Sequence, residues 1–471
     1  MQILKKHGRD FVYICLHYSF NKLLKQILKL MKYQTGKSKI SIISIVLLLA
    51  LSLTMGCDKN NDNPDPEPEE YKSYISHTLV RSYSSESIKT LFQTLETVYP
   101  EVATLSALIE YDVNVYNVVY KTLFQGEEIE VSGLISIPDT DGGSFPIVSF
   151  QNGTNTSHAD APTKNLNSTI FKYLHSMAST GNIMLLPDYI GFGKSEQFVH
   201  PYLHKESTVA VIENFIVAAK EMIAADLIKT DWNTNLYLMG YSQGGWSTLC
   251  THNDIDNTTD LDFNITASAC GAGPYDLSIV QNYMIEGITY PQPVYMAYSI
   301  ISYNELGLIT NPLTDYFNEP YATPLPSYFE GQYNNSQINA LLNDTVAVLL
   351  TDSFLNGMNT DPKYEDLRNA MNSNSISGWN TSQPIRLYHG TSDNYVPPTT
   401  SEQVFQEFVN AGATDNVSYI PLPGLNHETG AVPMILDALL WFADMEDGSE
   451  ANNYKENYIK IDASKPQMLI E

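Results

Sequence analysis

The chain of 471 residues has few cysteines, four in all, and few basic residues, 26 Lys and Arg against 53 Asp and Glu. Cys15 and Cys57 fall in the N-terminal segment, so only Cys250 and Cys270 remain, too few for a disulfide-framed scaffold. Each of these two sits on an apolar element, and two buried free thiols are expected rather than a bridge. Residues 1–56 hold nine of the basic side chains and one acid, which leaves 17 basic against 52 acidic residues, a formal charge of −35. A surface that acidic repels phosphate backbones and anionic headgroups, so nucleic acid is excluded as a partner. No apolar run reaches the roughly 20 residues that a membrane-spanning helix needs. Nor is there metal-ligand spacing of His, Cys and Asp, a glycine-rich phosphate loop or an internal repeat, so neither metal nor cofactor is expected. What the chain does have is apolar content: at 43% hydrophobic residues it can bury a large core, and global disorder is excluded.

The N-terminus carries an address. A short basic stretch from Met31 to Lys39 precedes an apolar run of 12 residues, Ile42 to Leu53, the build of a secretory signal rather than a span. A start at Met31 would give that signal an ordinary length. The run ends Ser52-Leu53-Thr54-Met55-Gly56-Cys57, which resembles the lipobox of bacterial lipoproteins, although Leu53 stands four residues before the cysteine instead of three. The resemblance implies export, lipidation of Cys57, and contact with the membrane only through that anchor, at the outer membrane or cell surface. Residues 57–72 interleave acids with Pro64, Pro66 and Pro68, a composition that reads as an extended tether.

Beyond the tether, Val113–Phe124 and Ile129–Pro138 are strand-like runs around Gly126-Glu127-Glu128, a hairpin signal. Compact apolar segments follow at Pro146–Phe150, Ile183–Leu186, Leu236–Met239, Phe263–Ala269, Ile385–Tyr388 and Val417–Ile420, suited to buried parallel strands. Helical spacing over Glu206–Leu227 and Ser401–Val409 supplies crossovers. A hairpin followed by alternating strands and helices predicts a mostly parallel α/β sheet with an antiparallel edge. Residues 276–383 are too long for a connection, are rich in Tyr, Asn and Pro, and carry helical pieces such as Gln337–Leu350. They are expected to form a cap between two parts of the core, 73–275 and 384–446, with a tail at 447–471.

Within this order lies Gly240-Tyr241-Ser242-Gln243-Gly244. The pentapeptide has meaning because a strand, Leu236–Met239, runs into it and a helix, from Gly244, leaves it: a nucleophile elbow needs a strand, a sharp turn and a helix. A serine hydroxyl needs a base to take its proton and a third group to orient the base. Asp393, after the strand Ile385–Tyr388, and His427, after the last strand, are the candidates, with Asp276 the rival acid. All follow strand C-termini, the edge where parallel sheets assemble sites. Oxyanion donors are expected from the backbone N–H of Gln243 and, in the loop Gln151-Asn152-Gly153-Thr154, from that of Thr154.

The elbow, the Asp and His in that order, and Pro187-Asp188-Tyr189-Ile190-Gly191-Phe192-Gly193-Lys194-Ser195 resemble the α/β-hydrolase superfamily over about residues 75–445. Asp-Tyr-x-Gly-Phe-Gly, the later His200-Pro201-Tyr202-Leu203-His204 and the large cap resemble secretory lipases and related esterases more narrowly. The likeness implies an α/β-hydrolase fold with a helical cap before the acid-bearing strand. It makes Asp188 a loop-stabilising residue, and His389 the support of the turn carrying Asp393. His200 and His204 are expected to pack or face solvent, with a place at the entrance the alternative.

Three functions remain open on these residues. The leading one is an exported serine hydrolase cleaving carboxylic esters with a hydrophobic acyl or aryl group. A serine peptidase of aminopeptidase or dipeptidyl-peptidase type would need an acidic anchor, for which the cap offers Glu286, Glu305 and Asp315. A non-catalytic surface binding protein would not need an intact Ser, Asp and His in order.

Overall fold

The computed structural model describes residues 71–100, 102–258 and 261–448. The signal, Cys57 and the tether up to Glu70 lie outside the described residues, as does the C-terminal segment from Ser449 onward.

Among the described residues nine strands form one sheet: β1 (Tyr74–Tyr83), β2 (Asp112–Phe124), β3 (Glu127–Asp139), β4 (Ser144–Gln151), β5 (Ile183–Pro187), β6 (Asp231–Tyr241), β7 (Ala267–Gly271), β8 (Ile385–Gly390) and β9 (Val417–Leu422). Their spatial order is β1-β2-β3-β5-β4-β6-β7-β8-β9. The first three pair antiparallel, β3 pairs antiparallel with β5, and every pair from β5 to β9 is parallel. The expected sheet is therefore present, with one strand more. β1 has no apolar alternation, since it is an edge strand with no buried residue, half of its positions exposed and half partly covered. The hairpin turns at Gln125 and Gly126, both at positive φ, the geometry that matches the twist of the strands it joins.

The helices are α1 (Ser85–Glu96), α2 (Val102–Ala107), α3 (Thr169–Ser176), α4 (Lys205–Ala224) and α5 (Gln243–Asn257). Between β7 and β8 come α6 (Leu277–Glu286), α7 (Pro293–Glu305), α8 (Leu325–Tyr328), α9 (Asn335–Leu341), α10 (Val346–Leu349), α11 (Asp352–Gly357) and α12 (Glu365–Asn374). α13 (Thr399–Asn410) and α14 (His427–Glu446) complete the chain. The inserted stretch contains helices and two isolated bridges, one of them Thr289 with Thr345. That bridge and the bond from Tyr290 N–H to the Asp344 carbonyl, 2.8 Å, break the helical signal of Gln337–Leu350 into α9 and α10. A second difference lies at β7. The apolar run Phe263–Ala269 suggests a strand, but Phe263 and Ile265 are loop residues buried in the layer beneath the sheet, and the strand itself is Ala-Ser-Ala-Cys-Gly.

Among the described residues no helix is long and apolar enough to cross a membrane. Cys250 and Cys270 are buried free thiols. One apolar cluster joins Trp246, Leu249 and Cys250 of α5 to Leu277, Val294, Ile300 and Tyr303 of the insertion, so the insertion is packed on the elbow helix as core. The N–H groups of Lys72, Ser73 and Tyr74 all donate to the Glu221 carboxylate of α4, which ties down the start of the folded body.

The packing of α4 on α5 carries one titratable group that burial disturbs. Burial, then the neighbouring Asp254 carboxylate, push Glu213 up to about 8. The folded chain thus holds a proton that the unfolded chain releases near pH 4.5. This contribution to stability is complete below that pH and is lost as pH rises through 8. Glu213→Gln, neutral at every pH, is expected to match wild type at pH 4 and to exceed it by about 5 kcal/mol at pH 9. Thermal melts of both proteins across that range check the sign, and a difference that does not grow with pH would refute it.

Candidate active site

The strand order dictates where a site can form. β4 is followed by β5 on one side and by β6 on the other, so the chain reverses direction between β4 and β6 and leaves a crevice at their C-terminal ends. Ser242 ends β6 there, and the loop after β4 faces it. An ideal Cβ at Gly153 would lie 3.8 Å from the Ser242 Cβ.

Ser242 has φ 60° and ψ −123°, a conformation that costs a non-glycine residue energy and persists only under constraint. Two bonds supply it: Ser242 N–H donates to Gly271 O (2.9 Å), and Ser242 O accepts from Trp246 N–H (3.2 Å). Two glycines allow α5 to approach that closely. A Cβ at Gly244 would stand 1.9 Å from Gln151 O, and one at Gly245 2.2 Å from Gly271 O. Gly244, the last residue of the pentapeptide, and Gly245 just after it thus give α5 the clearance it needs against β4 and β7.

His427 opens α14. Its preceding residue, Asn426, caps the helix by accepting from Thr429 N–H, while the Thr429 hydroxyl accepts from Asn426 N–H, which aims the first turn at the crevice. The imidazole Nε2 lies 2.8 Å from Ser242 Oγ, and Nδ1 lies 2.7 Å from Asp393 Oδ2. Asp393 in turn accepts from the N–H groups of Tyr395 and Val396 through Oδ1, each at 2.9 Å, and so holds its own loop. Its second neighbour is His389, whose Nε2 is 3.3 Å from Oδ2 and 2.9 Å from Val396 O. Burial alone would raise the Asp393 pKa, but attraction to His427 and hydrogen bonds from both histidines hold it well below the usual carboxylate range. The carboxylate is therefore ionised and oriented, as a partner for an imidazole that is to accept a proton.

Asp276, the rival acid, is used otherwise: it caps α6 by accepting from Ser278 and Ile279 N–H. Asp188 is fully buried, accepts from Ser132 and Thr163, and lies in the loop after β5; burial pushes it up to about 6. His200 is buried as well. Its Nδ1 donates to Ile190 O at 2.7 Å, so Nε2 accepts from the Gln243 carboxamide at 2.8 Å, and burial lowers its pKa to about 4. It is a neutral strut under Gln243 rather than a residue of the entrance. His204, against Ser207, lines a separate surface recess.

Among the described residues the N–H groups of Gln243 and Thr154 carry no hydrogen bond, and both border Ser242. Sequence reading missed what steadies the second of them. Asn335 of the insertion donates to Thr154 O at 2.7 Å, and Thr154 Oγ1 donates to Tyr202 at 3.1 Å. No sequence signal marks Asn335, which lies 181 positions from its partner.

Two cavities meet at Ser242. One, a narrow cavity of about 30 Å³, is mostly apolar, with Leu277, Val280, Met284 and Met371 in its wall. The other, about 800 Å³, is an open and more polar cleft, lined by Asn155, Asn165, Gln292, Asn335 and His427 but also by Phe150, Phe171 and Ile435. Tyr295 borders both. Among the described residues no group of three or more His, Cys, Asp or Glu is placed to hold a metal.

No known protein family's sequence profile matches this chain, and no curated protein does. Solved structures match. A hydrolase from Legionella pneumophila, itself assigned only provisionally, has a TM-score of 0.70 at 24% identity and covers 81% of this chain and 100% of its own. The rice cell wall degrading esterase LipA from Xanthomonas oryzae has a TM-score of 0.68 at 21% identity, covering 80% and 99%. Candida antarctica lipase A in its closed state has a TM-score of 0.59 at 14% identity, covering 84% and 85%. The architecture and these likenesses define an α/β-hydrolase fold: a mostly parallel sheet, an antiparallel N-terminal hairpin, and helices.

Proposed function

We propose that this protein is a serine hydrolase that cleaves carboxylic esters through a covalent acyl-enzyme. The observation that carries the proposal is the hydrogen-bonded chain Ser242–His427–Asp393 on a strained elbow, at the point where an apolar pocket meets a polar cleft. His427 draws the proton from Ser242 Oγ as the oxygen attacks the carbonyl. The charge that develops on the carbonyl oxygen is met by the N–H groups of Gln243 and Thr154. Collapse of the tetrahedral intermediate breaks the bond to the alcohol oxygen, which receives its proton from His427. Water then repeats the cycle on the acyl group, with His427 again as base.

The geometry also apportions the substrate. His427 lines the polar cleft and not the apolar pocket, so the leaving oxygen lies on the cleft side. The acyl group, which must stay bound while the alcohol departs and water enters, fits the apolar pocket beneath α6. That the solved neighbours are hydrolases, an esterase and a lipase supports ester hydrolysis. A peptidase would need an acidic anchor near Ser242; none of Glu286, Glu305 and Asp315 lines either cavity, and of the two acids that do line the cleft, Asp160 and Glu428, the second accepts from the Tyr395 hydroxyl.

A fluorophosphonate probe tests the nucleophile and a substrate panel tests the bond. Wild-type protein is expected to label at Ser242 and to turn over p-nitrophenyl esters faster than aminoacyl-nitroanilides. Absence of label, or faster anilide cleavage, would overturn the reading. Export on a lipid attached to Cys57 belongs to the same proposal and rests on residues 31–57 of the sequence. Cells fed a radiolabelled fatty acid are expected to incorporate it into wild type and not into Cys57→Ser; equal incorporation would remove Cys57 as the anchor.

A further inference from the structure

The acyl pocket contains a group that an apolar acyl chain leaves unanswered. Gln281 lies on α6 between Val280 and Met284, in the wall of the pocket that reaches Ser242, and is only 5% exposed. Its Nε2 is buried without a partner among the described residues. Three of the other polar side chains in the wall are engaged: Tyr303 donates to Leu203 O at 3.1 Å, Tyr202 accepts from Thr154 at 3.1 Å, and Ser299 donates to Met296 O at 3.0 Å. An NH₂ group enclosed among Leu, Val and Met side chains loses its hydration and gains nothing in return. Leucine or methionine would fill the same space without that cost.

Resting on the esterase reading above, we propose that the acyl group this enzyme takes carries a hydroxyl at its far end, and that Gln281 selects for it. A carboxamide offers both donors and an acceptor. A hydroxyl oxygen accepts from the stranded NH₂ and brings no charge into the pocket. A carboxylate would also accept from it but would be buried without a cation, since no Lys or Arg lines this pocket. The substrates are therefore esters of hydroxylated aryl- or alkanoic acids, bound with the acid's hydroxyl on Gln281 and its carbonyl at Ser242. Sites that hydrogen-bond a substrate hydroxyl reject the analogue lacking it far more strongly than apolar pockets reject a missing methylene.

The test uses two matched pairs of methyl esters, so that leaving group and carbonyl reactivity are constant within each: 3-phenylpropanoate with 3-(4-hydroxyphenyl)propanoate, and hexanoate with 6-hydroxyhexanoate. In at least one pair wild type is expected to favour the hydroxylated ester by about tenfold in kcat/KM. In Gln281→Met that ratio is expected to fall to one or below. Because each ratio is measured within one preparation, a partly unfolded variant does not distort it. A wild-type ratio of one or less in both pairs, or a preference that survives Gln281→Met, overturns the proposal. If the fluorophosphonate labels Ser242 but none of the four esters is cleaved, this proposal fails and the nucleophile stands. If neither label nor turnover is seen, the esterase reading fails with it.

Discussion

His427→Ala is expected to lower kcat for ester hydrolysis by about 10⁵–10⁶, as much as Ser242→Ala, and the double variant is expected to be no worse than either. The equality follows from the bonding. With no base 2.8 Å from Ser242 Oγ the hydroxyl keeps its proton, and with no hydroxyl the base has nothing to activate. Effects that add in the double variant would show the two groups acting separately. Asp393→Asn should cost less, about 10⁴, since Ser242 and His427 stay in place while the imidazole loses the anion that orients it and stabilises its protonated form. Asp276→Asn should leave kcat near wild type, because that carboxylate caps α6 and makes no bond to His427. Single-turnover assays on a p-nitrophenyl ester give all of these numbers.

Gly244→Ala is expected to destabilise the protein by at least about 3 kcal/mol and to abolish labelling of Ser242. The added methyl would meet backbone, Gln151 O at 1.9 Å and Asn152 O at 2.9 Å, and backbone in mid-sheet cannot swing aside as a side chain can. Relief requires α5 to move off β4. The N–H of Gln243 would move with it, because Gln243 opens that helix, and Gln151 leads directly into the loop of Thr154. A variant with the wild-type melting temperature and full labelling would show that α5 can shift without cost. The expected result would also explain why the residues around Ser242 are small: they bring a helix start and a strand end close enough for two N–H groups to face one point.

The same point is held from the insertion. Asn335 fixes the carbonyl of Thr154, Trp246 of α5 donates to Asn374 O at 3.0 Å, and Tyr298 donates to Asn155 O at 3.2 Å. Tyr395, packed 5.2 Å from the His427 ring, is tied to Glu428 at 2.7 Å. The insertion therefore shapes both cavities and also buttresses the loop bearing one expected oxyanion donor.

Much of this was legible in the residues because it depends on local signals. Short apolar runs mark β4, β5, β6, β8 and β9, since a strand buried on both faces needs apolar side chains throughout. The elbow is legible because strand, turn and helix are contiguous. Ser242, Asp393 and His427 were placed by one rule, that parallel strands put their C-terminal ends on a common edge. β1 was not legible, for an edge strand with both faces partly wet shows no alternation. Nor was the true extent of β7, whose neighbouring Phe263 and Ile265 serve a layer below the sheet.

The sequence by itself determined the fold class, the succession of strands along the chain to within one edge strand, and which serine, acid and histidine could meet. Contiguity along the chain and the common edge of a parallel sheet suffice for those. Only the tertiary structure decided between Asp393 and Asp276, since both follow strands and only their bonds tell a helix cap from a partner of His427. It also decided that His200 is a strut, that Asn335 supports the loop after β4, and that the Gln281 Nε2 stands unpartnered in the apolar pocket. Those facts join residues far apart in the chain, 181 positions in the case of Asn335 and Thr154. Contacts across such separations leave no periodicity to read, because they are set by how the insertion packs on the sheet.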